Sequence, residues 1–116
     1  MEDSVSIMKL FIDDVRDPLR VYGESMIVTR SYGESVEWMK IHGVPEFISF
    51  DHDLGEDGSG YDVARWMVDM DMDSNYSFIP PDFTYKIHSA NTVGRGNIRG
   101  LLDGYLEFRS GGTMKA

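Results

Sequence analysis

The chain contains no cysteine in 116 residues, so a disulfide framework, a thiol nucleophile and a cysteine-ligated zinc are all excluded. Basic residues are scarce: 11 Lys and Arg stand against 20 Asp and Glu, for a formal net charge of −9. Such a surface disfavours non-specific binding to nucleic acid, which depends on neutralising phosphates, and by itself confers solubility. No apolar run approaches the roughly 20 residues that span a bilayer. The opening Met1-Glu-Asp-Ser-Val-Ser6 lacks the basic and apolar regions of a signal peptide. A soluble, cytoplasmic protein with no membrane partner is therefore expected. With no repeat and no internal boundary, the sequence predicts one domain over residues 1–110 and a flexible tail over 111–116.

What is present is unevenly charged. Residues 51–83 hold 9 acidic and 1 basic residue, whereas residues 84–116 hold 5 basic and 2 acidic ones. Lys86, Arg95 and Arg99 in that last third are candidates to meet one anionic group. Ser6–Ile12, Met26–Arg30, Glu46–Phe50 and Phe83–His88 read as buried strands, and Tyr105–Phe108 as a weaker fifth. Barely the dozen or so residues that a parallel crossover needs separate the first two strands, so the first crossover helix is reduced or missing. Ser31 with Glu34, and Ser59 with Asp62, have the spacing of helix-start caps. Val63, Trp66, Met67 and Met70 recur at helical spacing, as do Ile98, Leu101, Leu102 and Tyr105. Gly104 is expected to end that last helix. Asp69, Asp71 and Asp73 are read as a solvated helix end, where the macrodipole disfavours anions. Strands alternating with helices predict an α/β fold with a parallel sheet of four to five strands.

Three of the strands finish in polar residues: Asp13-Asp14, Asp51-His52-Asp53 and His88-Ser89-Ala-Asn91. In a parallel sheet these ends share one edge, where open α/β folds place their sites. Asp13, Asp14 and Asp51 (or Asp53) are candidate oxygen ligands for Mg²⁺ or a similar hard cation. His52 and His88 are suited to general acid–base work. Ser89 and Asn91 are candidates to hold phosphate oxygens, although Asn91 equally fits a helix cap. Gly94-Arg-Gly-Asn-Ile-Arg-Gly100, at a helix start, offers Arg95 and Arg99 to an anion. The Asp51–Gly58 loop lacks the terminal bidentate glutamate of a calcium loop, which excludes that match.

The acidic pair after strand one, Asp53-Leu54 after strand three and Ile87-His-Ser89-Ala90 on strand four resemble response-regulator receiver domains over nearly the whole chain. Phe108 stands where the receiver's strand-five lysine would fall, and Arg109 where its proline would. The pattern is closer to the cyclic-phosphate processing receiver domains. The residues that resemble that group are Phe-Ile-Asp13-Asp14-x-Arg-x-Pro18, Phe-Asp51-His-Asp53-Leu-Gly55, Gly60-Tyr-Asp62 and His88-Ser-Ala-Asn91. The resemblance implies a three-layer, flavodoxin-like sheet of order 2-1-3-4-5 and processing of cyclic phosphates on nucleotides or RNA ends. Against the receiver pattern, Asp53 would be the equivalent of the phosphoacceptor. The leading expectation is a hydrolase in which Asp13, Asp14 and Asp51 hold the cation and His52, His88 and Asp53 are catalytic. The alternatives are a non-catalytic binder of a cyclic nucleotide or a protein, and a degenerate phosphoacceptor in signalling.

Overall fold

The computed structural model describes residues 8–111. Strands β1 (Lys9–Ile12), β2 (Ile27–Thr29), β3 (Phe47–Phe50) and β4 (Thr84–Ile87) form one sheet in the order β2-β1-β3-β4, and all three pairings are parallel. The crossovers carry helices α1 (Pro18–Tyr22), α2 (Tyr32–His42) and α3 (Gly60–Asp73), and α4 (Thr92–Arg109) follows the last strand. This is the α/β fold with the strand order expected from the sequence. Ser6 and Ile7, expected to begin the first strand, lie outside the described residues, as does the tail beyond residue 111.

Strand residues alternate in direction, and the register aligns Leu10 with Ile48 and Ile12 with Phe50. These four pack against Met39 of α2, Val63, Ala64 and Met67 of α3, and Ile98, Leu102 and Tyr105 of α4 in one apolar core. Phe11 and Ser49 belong to the opposite face and are also buried. There the covering element is α1, whose Tyr22 meets Phe11 edge-on with ring centroids 6.2 Å apart. This helix is short but well specified. Asp17 caps it through the Leu19 amide, Pro18 presets the first turn, and Gly23 closes it with φ of 76°.

Two expectations fail, for one shared reason. Tyr105–Phe108 is not a strand, and Gly104 does not end a helix, because α4 runs unbroken to Arg109. Gly96, Gly100 and Gly104 each cost about 1 kcal/mol relative to alanine in a helix interior. Full burial of Ile98 and Leu102, at about 1.5–3 kcal/mol each, together with that of Tyr105, outweighs them. At the end of α3, Asp69 and Asp73 are exposed as expected, but Asp71 is not. Asp71 is fully buried, and its carboxylate accepts from the amides of Phe78 (2.9 Å) and Ile79 (2.7 Å), the Tyr105 hydroxyl (2.6 Å) and Arg109 Nη1 (3.1 Å). One buried carboxylate thus ties α3, the loop before β4 and the end of α4 together.

Candidate active site at the carboxyl edge of the sheet

Parallel pairing brings the ends of β1, β3 and β4 side by side. The Asp51 amide donates to the Ile12 carbonyl at 2.9 Å, and the His88 amide to the Phe50 carbonyl at 2.9 Å. Asp13 and Asp51 are therefore neighbours, both buried, and Asp14 stands exposed beside them. One oxygen from each of the three lies within 4.8 Å of the others.

The two buried carboxylates are held differently. Oδ1 of Asp13 accepts from the amides of Val15 (2.8 Å) and Arg16 (2.7 Å), and Oδ2 accepts from His88 Nε2 at 2.9 Å. Burial pushes its pKa up, but the Arg16 and Val15 amides and His88 more than offset this and hold it below the usual carboxylate range. Asp51 goes the other way. Burial raises its pKa, the Asp13 charge raises it further, and the opposing effects of Ser89, His88 and the His52 amide do not compensate. Two buried carboxylates side by side, one of them left undercompensated by the protein, fit a hard divalent cation.

His88 is 5% exposed in its side chain and has both ring nitrogens engaged, Nδ1 with Ser49 Oγ at 2.6 Å and Nε2 with Asp13. Its ring stacks on Phe11 with centroids 4.4 Å apart and planes 6° from parallel. Burial lowers its pKa, against the opposing pull of Asp13 and Asp51. His52 sits in a separate group on the α4 side, where it is half-buried. Its Nδ1 is 3.1 Å from Asp53 Oδ1 and 3.5 Å from Asn91 Nδ2. Asp53 is exposed, and its hydrogen bond from His52 holds its pKa below the usual range.

Two glycines set this arrangement. A Cβ on Gly60 would stand 1.9 Å from the Asp51 carbonyl oxygen, so α3 can begin against the end of β3 only with glycine there. A Cβ on Gly94 would stand 2.3 Å from His52 Cγ, which makes this glycine the floor beneath the imidazole.

The remaining sequence candidates divide. Ser89 is buried close enough to Asp51 to lower its pKa, and its Oγ accepts the Asn91 amide at 3.0 Å. Asn91 is the N-cap of α4, accepting from the Gly94 amide at 2.8 Å, and its Nδ2 lies 3.4 Å from Asp53. Arg95 is exposed beside this edge, with Nη1 3.5 Å from the Ser89 carbonyl. Arg99 lies one turn further along, close enough to Tyr85 to act on its hydroxyl. Lys86 projects from the opposite face of the sheet, 6.0 Å from the Tyr22 ring. Lys86, Arg95 and Arg99 therefore do not converge on one anion. The carboxylate beside Asp13 and Asp14 is Asp51, which follows β3 directly. Asp53 is two residues too far along, so the expected correspondence of Asp53 with a phosphoacceptor gives way to Asp51.

Sequence reasoning assigned nothing to Arg16 or Arg30. Arg16 Nη1 donates to the His88 carbonyl at 2.8 Å and its Nε lies 3.9 Å from Asp13 Oδ2. Arg30 Nη1 donates to the carbonyls of Asp13 (3.1 Å) and Arg16 (2.5 Å), strapping the loop after β1. The Asp13-Asp14-x-Arg16 spacing was the available signal for the first; nothing in the sequence signals the second.

A family model described as the cyclic-phosphate processing receiver domain matches residues 8–104. The chain belongs to that family. The match begins just before β1 and ends within α4, so it takes in all three strand ends that build the acidic edge of this receiver domain. Among solved structures, one described as the yeast Spc42 trimeric coiled coil, amino acids 181–211, fused to another structure is similar at 15% identity. The alignment covers 95% of this chain and 85% of that one, with a TM-score of 0.54, and at that identity it speaks to fold alone. None of the curated proteins matches the chain. Among the described residues, no helix of this receiver domain is long and apolar enough to cross a membrane.

Proposed function

We propose that this receiver domain hydrolyses cyclic phosphate diesters, on nucleotides or at RNA ends, to linear phosphate monoesters. The observation that carries the reading is the buried Asp13–Asp51 pair with Asp14 beside it, opening off the same strand end as the His52–Asp53 pair. Asp13, Asp14 and Asp51 would hold Mg²⁺ or a similar cation. When bound, such an ion neutralises phosphate charge and lowers the pKa of a water molecule.

In the reaction the water oxygen forms a bond to phosphorus and the bond from phosphorus to one ring oxygen breaks. The water proton is taken up at His52 Nε2, and the same nitrogen gives it to the leaving alkoxide. The two imidazoles take unequal parts. Asp53 bound at His52 Nδ1 leaves Nε2 as the nitrogen that exchanges protons with substrate. His88, with both nitrogens engaged, acts by holding Asp13. Ser89 steadies Asp51, Asn91 orients Asp53, and Arg16 and Arg95 flank the edge as phosphate-binding cations. Arg99 belongs to a longer approach along α4.

The test is incubation with 2′,3′-cyclic nucleotides and with RNA bearing a cyclic phosphate end, in Mg²⁺ or Mn²⁺, followed by phosphorus NMR. Metal-dependent appearance of a linear monoester is expected, reduced about 10²–10⁴-fold in His52→Ala. Tight binding of the unchanged cyclic phosphate, or turnover unaffected by His52→Ala, would overturn the reading.

A further inference from the structure

Ser49 is a lone hydroxyl in the middle of the apolar strand β3, fully buried on the face away from the main core. Its Oγ lies 2.7 Å from the Tyr22 hydroxyl and 2.6 Å from His88 Nδ1, and His88 Nε2 lies 2.9 Å from Asp13 Oδ2. We propose that Tyr22 and Ser49 are positioning residues that fix which nitrogen of His88 carries the proton, and through it orient Asp13 as a cation ligand. The tautomer part stands on the hydrogen-bond geometry with a neutral ring beside an ionised Asp13; the cation part rests on the proposed function.

Counting hydrogens fixes the direction of the chain. Asp13 accepts two amides at Oδ1 and has the Arg16 guanidinium 3.9 Å from Oδ2, surroundings that favour the ionised, acceptor-only carboxylate. A bare Nε2 would set its lone pair against Oδ2, which requires Nε2 to carry a hydrogen. In the neutral ring Nδ1 then has only a lone pair and must accept. The Ser49 hydroxyl has one hydrogen and gives it to Nδ1, and the Ser49 oxygen in turn accepts from Tyr22. Each donor in the series from Tyr22 through Ser49 and His88 to Asp13 then has one acceptor. The ring cannot turn out of this chain, because Phe11 stacks on its face and Tyr22 approaches edge-on at 6.5 Å. This also gives α1 a function. Its caps hold Tyr22 over Phe11, where the phenol can reach into the sheet. Partners that orient a ligand in this way are worth about 10–100-fold in metal affinity.

The experiment is nitrogen-15 NMR of the imidazole rings in the full chain, combined with Mg²⁺ titration. In the wild type, His88 is expected to be protonated at Nε2 and bare but hydrogen-bonded at Nδ1. Ser49→Ala should move the Nδ1 signal and weaken Mg²⁺ binding about 10–100-fold, and Ser49→Thr should restore both. Tyr22→Phe keeps the Ser49 hydroxyl, and should move the Nδ1 signal in the same direction by less. It provides the test if Ser49→Ala does not fold. A wild-type ring protonated at Nδ1 or at both nitrogens, or ring signals indifferent to both substitutions, would overturn the proposal. Altered ring signals with unchanged Mg²⁺ affinity would overturn the link to Asp13. The expected tautomer in a protein that never turns over cyclic phosphate would count against the proposed function and leave the relay intact.

Discussion

Asp71 offers a demanding test of how this fold is held together, because its sequence context suggests a dispensable surface charge. In the structure it accepts two amides, a phenol and a guanidinium while fully buried. Removing one partner of a buried ion pair costs about 3–5 kcal/mol. That loss includes the amides of Phe78 and Ile79, each worth about 1–3 kcal/mol when left without an acceptor where water cannot reach it. Arg109 keeps the carbonyls of Ile79 (2.7 Å) and Pro80 (3.1 Å), which limits the loss at its end. We therefore expect Asp71→Ala to lose about 3–5 kcal/mol in all, a large share of the roughly 5–15 kcal/mol that stabilises a typical domain. Asp71→Asn keeps an oxygen for both amides and should lose about 1–3 kcal/mol. Urea unfolding followed by circular dichroism would read this as a midpoint lower by about 1 M or more in Asp71→Ala at unchanged slope. A change within about 0.5 kcal/mol of wild type, the range of ordinary surface substitutions, would refute the reasoning.

The same carboxylate gives a pH signature. Burial pushes the Asp71 pKa up, but the Ile79 amide, Tyr105, Arg109 and the Phe78 amide outweigh it and hold the pKa below the usual range. A lowered folded pKa means that the unfolded chain takes up the proton first. The contribution is thus complete above the unfolded value of about 4, and is lost as pH falls through the folded one. Asp71→Asn should lose stability less steeply than wild type below that pH.

Two further outcomes separate site from scaffold. Asp51→Asn removes a buried charge that the protein itself leaves undercompensated, so without divalent cation it should melt no lower than wild type. It should also lose the Mg²⁺-induced rise in melting temperature, which reflects a stabilisation of about 2.7 kcal/mol at a hundredfold excess of ligand over Kd. A full Mg²⁺ response in Asp51→Asn would remove it from the ligand set. Gly94→Ala drives a methyl into His52 and should cost about 1–3 kcal/mol and displace the His52 ring signals, whereas Gly100→Ala meets nothing within 4 Å and should gain about 0.5–1 kcal/mol. Equal effects of the two substitutions on stability would contradict this placement of α4.

The sequence was informative where the physics is local. An apolar run ending in Asp or His reads as a strand delivering polar groups, and Ser59 with Asp62 forms the capping box its spacing implies. Strands alternating with helices implied a parallel sheet, and a shared edge for the strand ends followed from that; the strand order came from the family resemblance. The choice between Asp51 and Asp53 did not, since both follow the same strand. Only the bond from the Asp51 amide to Ile12 shows which one stands beside Asp13. In α4, glycine propensity argued for an early stop. Packing of Tyr105 against the core, with its hydroxyl on Asp71, decided otherwise.

By itself, then, the sequence determined the strand ends, the carboxylates and imidazoles they carry, and the family to which those residues belong. Tertiary structure alone decided which of them are neighbours. It buried His88 between Ser49 and Asp13, left His52 with Asp53, and turned Asp71 from a helix-end charge into a buried clasp. The physical reason is that hydrogen-bond partners and burial depend on contacts across 30 or more positions in the chain (His88 with Ser49, Asp71 with Tyr105), which no local pattern encodes.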